Sequence, residues 1–211
     1  MLVYRLLISV FALVVLLRDL RAGAGLAVLR ARLGGGGAPA SGPHLWWHGA
    51  SNGELASARF MLERIVAARP DLHVLMTANT DTGLALVLGW GLPRVTVRPA
   101  PLDLGWVTAR MMRRWRVAAH VTLEAEIWPH RVRHCPGPVI VLGARMSAGT
   151  ARTWARLPGL AARVLSGLDH VFAQDPASRD RLQALGLPAA ATGPVVDLKA
   201  FYTPPDTGPD A

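Results

Sequence analysis

Three carboxylates, a set of hydroxyls and one arginine stand in segments where they could work on a polar, sugar-like ligand. Glu54 closes the run His48-Gly49-Ala50-Ser51-Asn52-Gly53-Glu54. In the first turn of a helix and facing a cleft, such a carboxylate could take a proton from an attacking hydroxyl. Gly49 and Gly53 allow a tight turn and a close approach of ligand to backbone. Ser51, Asn52 and Gly53 would present the free N–H groups of a helix start, which favour anions or polar sugar oxygens. The spacing Ser51-x-x-Glu54 is equally that of a capping box, with Glu54 turned back on its own backbone. Glu124 and Glu126 form a second group, in Leu123-Glu124-Ala125-Glu126-Ile127-Trp128-Pro129. Two acids at the end of a buried strand are costly unless solvated, paired or used. As helix-start acids they would also complement the helix dipole. Thr77, Asn79, Thr80, Thr82 and Gly83 gather hydroxyls and an amide at another helix start, suited to a sugar or phosphate or to ordinary N-capping by Thr80 or Asp81. Arg145 could hold a phosphate or pair with the Glu124 side.

The elements that would position these residues read as an alternation. Short apolar runs at 44–48, 72–77, 94–98, 118–123, 139–142 and 170–173, with a further candidate at 189–192, predict strands separated by helical patterns. Leu55, Ala58, Leu62, Ile65 and Val66 make one helical face by their spacing of three and four. Residues 104–115 and 176–185 predict two more helices. Alternation at this spacing implies right-handed crossovers and a doubly wound parallel sheet, an α/β fold. In such sheets ligands bind at the carboxyl ends of the strands, where the loops above lie.

The chain of 211 residues, 51% hydrophobic and 18% charged, is too apolar for a disordered protein and suits one α/β domain with an appendage. Its net charge of +9 rests almost wholly on arginine, since Lys199 is the only lysine, and favours anionic partners. A single cysteine, Cys135, excludes an internal disulfide and a cysteine-based zinc site. His130 and His134 have the spacing of a helical metal pair but no third ligand beside them. Arg110, Arg113, Arg114 and Arg116, interleaved with Met111, Met112 and Trp115, suit either a membrane surface or a solvated face with snorkelling stems. Leu2 to Leu17 is nearly all apolar, a little short for a spanning helix. Arg18, Arg21, Arg30 and Arg32 follow it, predicting a membrane anchor, single-pass or peripheral, with the bulk of the chain in the cytoplasm. A cleaved signal peptide is the rival reading, with Ala22-Gly23-Ala24 as its small-residue site. The expected organisation is an anchor over 1–20, a basic Gly/Pro/Ser-rich linker over 21–42, a Rossmann-like lobe over 43–200 and a disordered tail over 201–211.

In this order the loops resemble those of the 3-deoxy-D-manno-octulosonic acid (Kdo) transferases of lipopolysaccharide synthesis. Arg32-Leu33-Gly34 resembles the family's R-L-G, and Trp47 to Glu54 resembles W-I-H-A-V-S-V-G-E, one residue shorter. Thr77 to Gly83 resembles T-T-T-P-T-G, and Pro101-Leu102-Asp103-Leu104 resembles P-Y-D-L. Glu124 to Pro129 resembles E-T-E-L-W-P, and Ala144-Arg145-Met146-Ser147 resembles A-R-L-S. The resemblance implies a two-lobed glycosyltransferase of the GT-B type, whose N-terminal lobe binds the lipid A precursor and whose C-terminal lobe binds CMP-Kdo. It implies inversion at the anomeric centre, with no cofactor and no metal in the transfer. Glu54 matches the general base, and Glu124 matches a glutamate that supports the transition state.

Two departures bear on activity. The family's T-G-(S/N)-L-K-F-D reads here Thr192-Gly193-Pro194-Val195-Val196-Asp197-Leu198, so Val196 stands at the lysine position and Lys199 lies three residues on. The chain also ends at Ala211, so the donor lobe is expected on a separate chain. A non-catalytic membrane-tethered module that binds lipid A or sugar is the alternative. A nucleic-acid binder, suggested by the basic charge, is disfavoured by the apolar start and the buried-sheet pattern.

Overall fold

Residues 2–201 are described by a computed structural model; of the tail expected over 201–211, Phe201 ends a 3-10 turn, Leu198–Phe201, and the rest lies outside the described residues. The apolar runs become strands because each is short, rich in β-branched or aromatic residues and closed by a turn. Two helices precede them, α1 (Leu2–Arg21) and α2 (Leu26–Arg32). The chain then runs β1 (His44–Gly49), α3 (Asn52–Ala68), β2 (His73–Ala78), α4 (Asp81–Leu88), β3 (Val95–Pro99) and α5 (Gly105–Arg114). It continues through β4 (Val117–Leu123), α6 (Pro129–His134), β5 (Val139–Ala144), α7 (Ala148–Ala155), α8 (Pro158–Leu165), β6 (His170–Ala173) and α9 (Pro176–Ala184). The six strands form one all-parallel sheet in the order β3-β2-β1-β4-β5-β6, a Rossmann-like arrangement. The strand order reverses between β1 and β4, so the binding crevice lies beyond the carboxyl ends of those two strands.

Side-chain alternation splits β1 between two cores. Leu45 and Trp47 pack with Leu55, Ala58, Leu62 and Val66 of α3. Trp46 packs on the other face with Met111, Met112 and Trp115 of the α5 segment. A third core joins β5 and β6 to α8 and α9. The face beneath α5 and α6 is unusually polar for a buried sheet. His44, His48, Thr77, His120 and Thr122 are all at most 2% exposed, and His120 stacks on Trp46 with ring centroids 4.1 Å apart.

The seventh strand expected at 189–192 is a 3-10 turn, Ala189–Ala191. Pro188 ahead of it has no N–H to give a ladder, and only Thr192 makes an isolated bridge, to Val171. The stretch read as a linker holds α2 and a glycine run packed on the domain. Arg98 donates to the Gly35 carbonyl, and Arg114 to those of Gly36 and Gly37. Gly34 has φ +69°, and a Cβ there would stand 2.5 Å from the Val107 carbonyl oxygen, so α2 ends tightly against α5.

No helix of the described residues is long and apolar enough to cross a membrane. Within α1, Arg5, Arg18 and Asp19 break the apolar run. The helix lies against the domain through buried Ile8, Ala12 and Asp19. The Tyr4 hydroxyl donates to Asp103 at 2.6 Å. Arg32 Nε donates to Asp19 at 3.0 Å, while its other nitrogens reach the carbonyls of Ala100 and Asn79. Arg32 thus ties α1 to the loops that follow β2 and β3.

Candidate active site

Glu54 is the third residue of α3, and Ser51 is its N-cap. The capping geometry is formed. The Glu54 N–H donates to Ser51 Oγ at 3.3 Å, and Ser51 Oγ donates to Glu54 Oε1 at 3.1 Å. Glu54 Oε2 accepts the Ala50 N–H at 2.8 Å, one residue before the N-cap, where a standard capping box would use the N-cap's own N–H. Burial raises the Glu54 carboxyl above its ordinary range, and the nearby Glu124 and Glu126 add to that against the Ala50 N–H. A carboxylate raised in this way is a stronger base than an ordinary one, which suits a proton acceptor.

Glu124 directly follows β4 with φ +49°, a left-handed conformation that a glutamate adopts only when its surroundings hold it there. Its N–H donates to the Leu142 carbonyl at 2.9 Å. Its Oε1 lies 3.1 Å from Lys199 Nζ, with the lysine side chain half exposed and the glutamate largely covered. The lone lysine therefore meets the strained glutamate, three residues beyond the position where the resemblance would place it. Arg145 does not take that role. It is exposed, and among the described residues its side chain makes no ion pair.

Glu126 is differently placed. Its Oε2 accepts from Trp128 Nε1 at 2.7 Å, His48 Nε2 at 3.1 Å and Asn79 Nδ2 at 3.4 Å. These contacts hold its carboxyl down to about 2 against burial, which pushes the other way. Burial holds His48 neutral, down to about 4, with Arg131 adding to the effect. Thr77 Oγ1 accepts from Trp46 Nε1 at 2.8 Å, so its own hydrogen is free to go to His48 Nδ1 at 2.9 Å. The Glu126 carboxylate calls for a proton on Nε2, while the Thr77 carbonyl, 3.1 Å from Nδ1 and able only to accept, calls for one on Nδ1. Trp46, Thr77, His48 and Glu126 form one hydrogen-bonded chain that fixes the start of the Glu126–Trp128 turn.

The remaining polar residues fall into two groups. Ser51, Asn52, Gly53, Thr80 and Thr82 are exposed on the rim. Thr82 Oγ1 donates to Asn52 Oδ1 at 3.3 Å, joining the starts of α3 and α4, and Thr80, not Asp81, caps α4 through the Gly83 N–H. Thr77 and Gly83 are turned away from the cleft. Thr77 is consumed by the buried chain, and Gly83 is buried where an added Cβ would press on Ala78 at 3.1 Å and Leu55 at 3.2 Å. Asn79 is half-buried and occupied with Glu126. Above Gly53 the space is open, with no atom within 4 Å of a Cβ built there.

Sequence reasoning missed His48 as an orienting residue, and it missed Asp103 and Arg131. Asp103 accepts the backbone N–H groups of His130 and Arg131, holding the start of α6 beneath the site. A usable signal was His48 itself, a titratable residue inside an otherwise apolar strand. Among the described residues no group of three or more His, Cys, Asp or Glu stands close enough to hold a metal ion, and His130 and His134 stack on each other with centroids 6.0 Å apart.

Residues 27–201 match the family model described as 3-deoxy-D-manno-octulosonic-acid transferase (kdotransferase). The chain is similar to the 3-deoxy-D-manno-octulosonic acid transferase of Bordetella pertussis, 30% identical over 167 residues, covering 74% of this chain and 39% of that one. It is 26% identical over 154 residues to the Chlamydia pneumoniae protein of the same name, covering 71% and 35%. It is 24% identical over 148 residues to that of Rickettsia typhi, covering 68% and 31%. The chain thus spans about a third of the length of these curated relatives.

Proposed function

The chain belongs to the 3-deoxy-D-manno-octulosonic acid transferase family, and from that premise we propose that it forms the acceptor side of a GT-B glycosyltransferase. The reaction is transfer of Kdo from CMP-Kdo to a lipid A precursor in lipopolysaccharide synthesis. The observation that carries this reading is the meeting of a raised Glu54 carboxyl and a strained, lysine-paired Glu124 at the strand-order reversal of the sheet.

Glu54 accepts the proton of the acceptor hydroxyl as that oxygen attacks the anomeric carbon of Kdo. The bond from that carbon to the CMP phosphate breaks, CMP leaves with the electron pair, and attack from the opposite face inverts the centre. To act, Glu54 exchanges its contacts with Ala50 and Ser51 for one to the substrate, so the cap is its resting position. Lys199 serves in place of the lysine that Val196 replaces, holding Glu124 and offsetting negative charge as the donor bond breaks. Ser51, Asn52, Gly53, Thr80 and Thr82 line the acceptor rim, while Thr77, Asn79, Gly83 and Glu126 hold the loops behind it. Arg145, exposed beyond β5, is left to meet the donor side.

The apolar start acts as a peripheral anchor on the cytoplasmic face of the inner membrane. One side of α1 is docked on the domain, while Val3, Leu7, Val10, Val14 and Leu17, at helical spacing, are at least two-fifths exposed. An interfacial helix of this kind would hold the acceptor rim near its lipid.

Binding of lipid A precursor, together with Kdo transfer from CMP-Kdo in the presence of a donor-binding lobe, tests the proposal. Transfer above background supports it. Acceptor binding without transfer favours the non-catalytic module, and absence of both overturns the acceptor assignment.

A further inference from the structure

Helices α1, α5 and α6 line an open groove of about 800 Å³. It is separate from the acceptor rim: no residue from Ser51 to Glu54 lines it, nor does Glu124 or Glu126. One part of its wall is apolar. Leu13 and Leu16 of α1 and Trp106 and Ala109 of α5 line that part. Leu13 is 58% exposed and Trp106 57%, so two large apolar side chains stand in water at the mouth. Exposed apolar surface gathered around a groove marks a binding site more often than a lone exposed side chain does.

The rest of the wall is cationic. Arg5 of α1, Arg113 of α5, and His130, Arg133 and His134 of α6 line it, and no Asp or Glu does. Arg5, Arg113 and Arg133 are exposed, and none of them makes an ion pair among the described residues. All three act on His134, whose imidazole is held below its ordinary range by burial and then by Arg133, Arg113 and Arg5. Burial first, then His134, Arg5 and Arg133, hold His130 down to about 4. The positive charges therefore converge. Asp103, one residue before Leu104 on the floor, does not line the groove. It is 2% exposed, and its oxygens take the Tyr4 hydroxyl and the N–H groups of His130 and Arg131. Leu16 lies about 16 Å along α1 from Arg5, so the charged and apolar parts are spread along the groove.

We propose that this groove binds one molecule of an anionic glycerophospholipid, with its phosphate among Arg5, Arg113 and Arg133 and an acyl chain along Leu13, Leu16, Trp106 and Ala109. Charge complementarity selects the occupant. A neutral lipid would leave the three arginines without a counter-charge, and a soluble anion would leave the apolar wall in water. Leu13 belongs both to the groove and to the exposed apolar surface of α1, which gives a lipid an apolar path into the groove from a bilayer. Trp106 at the mouth suits the boundary between water and lipid. The inference concerns a lipid held apart from the acceptor rim and does not require that the chain transfer sugar.

Short-chain phosphatidylglycerol below its micelle concentration probes the groove without a bilayer surface. Calorimetric titration of the whole chain should show one saturable site for it. Short-chain phosphatidylcholine should bind at least about fivefold more weakly, the difference expected from a few exposed charge contacts. Glycerol phosphate, the headgroup without chains, should show no saturable binding. Arg113→Gln combined with Arg133→Gln changes only exposed side chains and should lower phosphatidylglycerol to the phosphatidylcholine level. Ala109→Trp fills the groove and should abolish binding of both lipids; should it fail to fold, the arginine pair still decides. Asn52→Ala, on the acceptor rim, should bind the probe as wild type does, and a loss there would place the lipid on that rim and overturn the proposal. Absence of saturable binding, equal binding of the two lipids by wild type, glycerol phosphate binding as tightly as phosphatidylglycerol, or an unchanged preference in the arginine variant would overturn it as well.

Discussion

Replacing Gly53 with alanine should separate the fold from the site. Gly53 is the second residue of α3, lies outside the positive-φ region, and has no atom within 4 Å of an added Cβ. For the free protein the methyl group is therefore unopposed, and alanine loses less backbone entropy on entering a helix than glycine does. The gain should be about 0.5–1 kcal/mol, which for a domain of this size raises Tm by about 2–4 °C per kcal/mol. For the acceptor the same methyl group stands on the rim between Ser51 and Glu54, where a sugar oxygen must come close. A misplaced methylene-sized group costs a substrate about 1–3 kcal/mol, so the acceptor KM should rise at least about fivefold. Thermal melts and an acceptor concentration series on Gly53→Ala give both quantities. A lowered Tm would refute the open space above Gly53. A raised Tm with an unchanged KM would refute its place on the acceptor rim.

Other perturbations address other parts of the account. Lys199→Met should change stability by less than about 1 kcal/mol, because the lysine is half exposed, yet transfer should fall clearly; unchanged transfer would show that Lys199 does not stand in for the lysine replaced by Val196. Stability in denaturant titrations should decline as pH falls from 6.5 to 4. His48, held down to about 4, stays neutral in the fold while the unfolded chain takes up protons, a loss of about 3 kcal/mol by the lower limit. Glu126, held down to about 2, extends the loss below pH 4.5, while Asp103, pushed up to about 6 by burial, opposes it in part. Because Asp103 offsets most of the His48 loss in this window, the test is the comparison with His48→Gln, whose stability should fall less steeply with acid than wild type's; equal slopes would contradict a neutral buried His48. Val10→Asp, on the exposed side of α1, should release the chain from anionic vesicles with Tm unchanged; retention on the vesicles would remove α1 as the anchor.

The parts of the molecule legible in the sequence are those set by short-range pattern. The apolar runs at 44–48 and 118–123 announced β1 and β4 to within one residue, and the face Leu55, Ala58, Leu62, Val66 announced α3. Local rules also announced the Ser51–Glu54 cap. Where local preference was weak, the reading slipped. Ala189–Ala191 has no β-branched residue to favour a strand, and the glycine run at 34–37 gave no hint of the Arg98 and Arg114 side chains that bind its carbonyls from 63 to 78 residues away. The division of labour between Glu124 and Glu126 was equally invisible. It depends on His48, 78 residues before Glu126, and on Lys199 beyond β6, which only the closed sheet brings together. Thr77 and Gly83 illustrate the same limit. Both belong to a loop motif suited to ligand, but burial against β1 and α3 takes them out of the cleft.

The central claim is that Glu54 is the base. Kdo transfer by Glu54→Gln, measured beside its affinity for lipid A precursor, tests it most directly. The amide can keep the contact to Ser51, so folding and acceptor affinity should stay near wild type. The rate of transfer should fall by about 10²–10⁴, the contribution of a positioned general base. Transfer at the wild-type rate with acceptor bound would contradict the account.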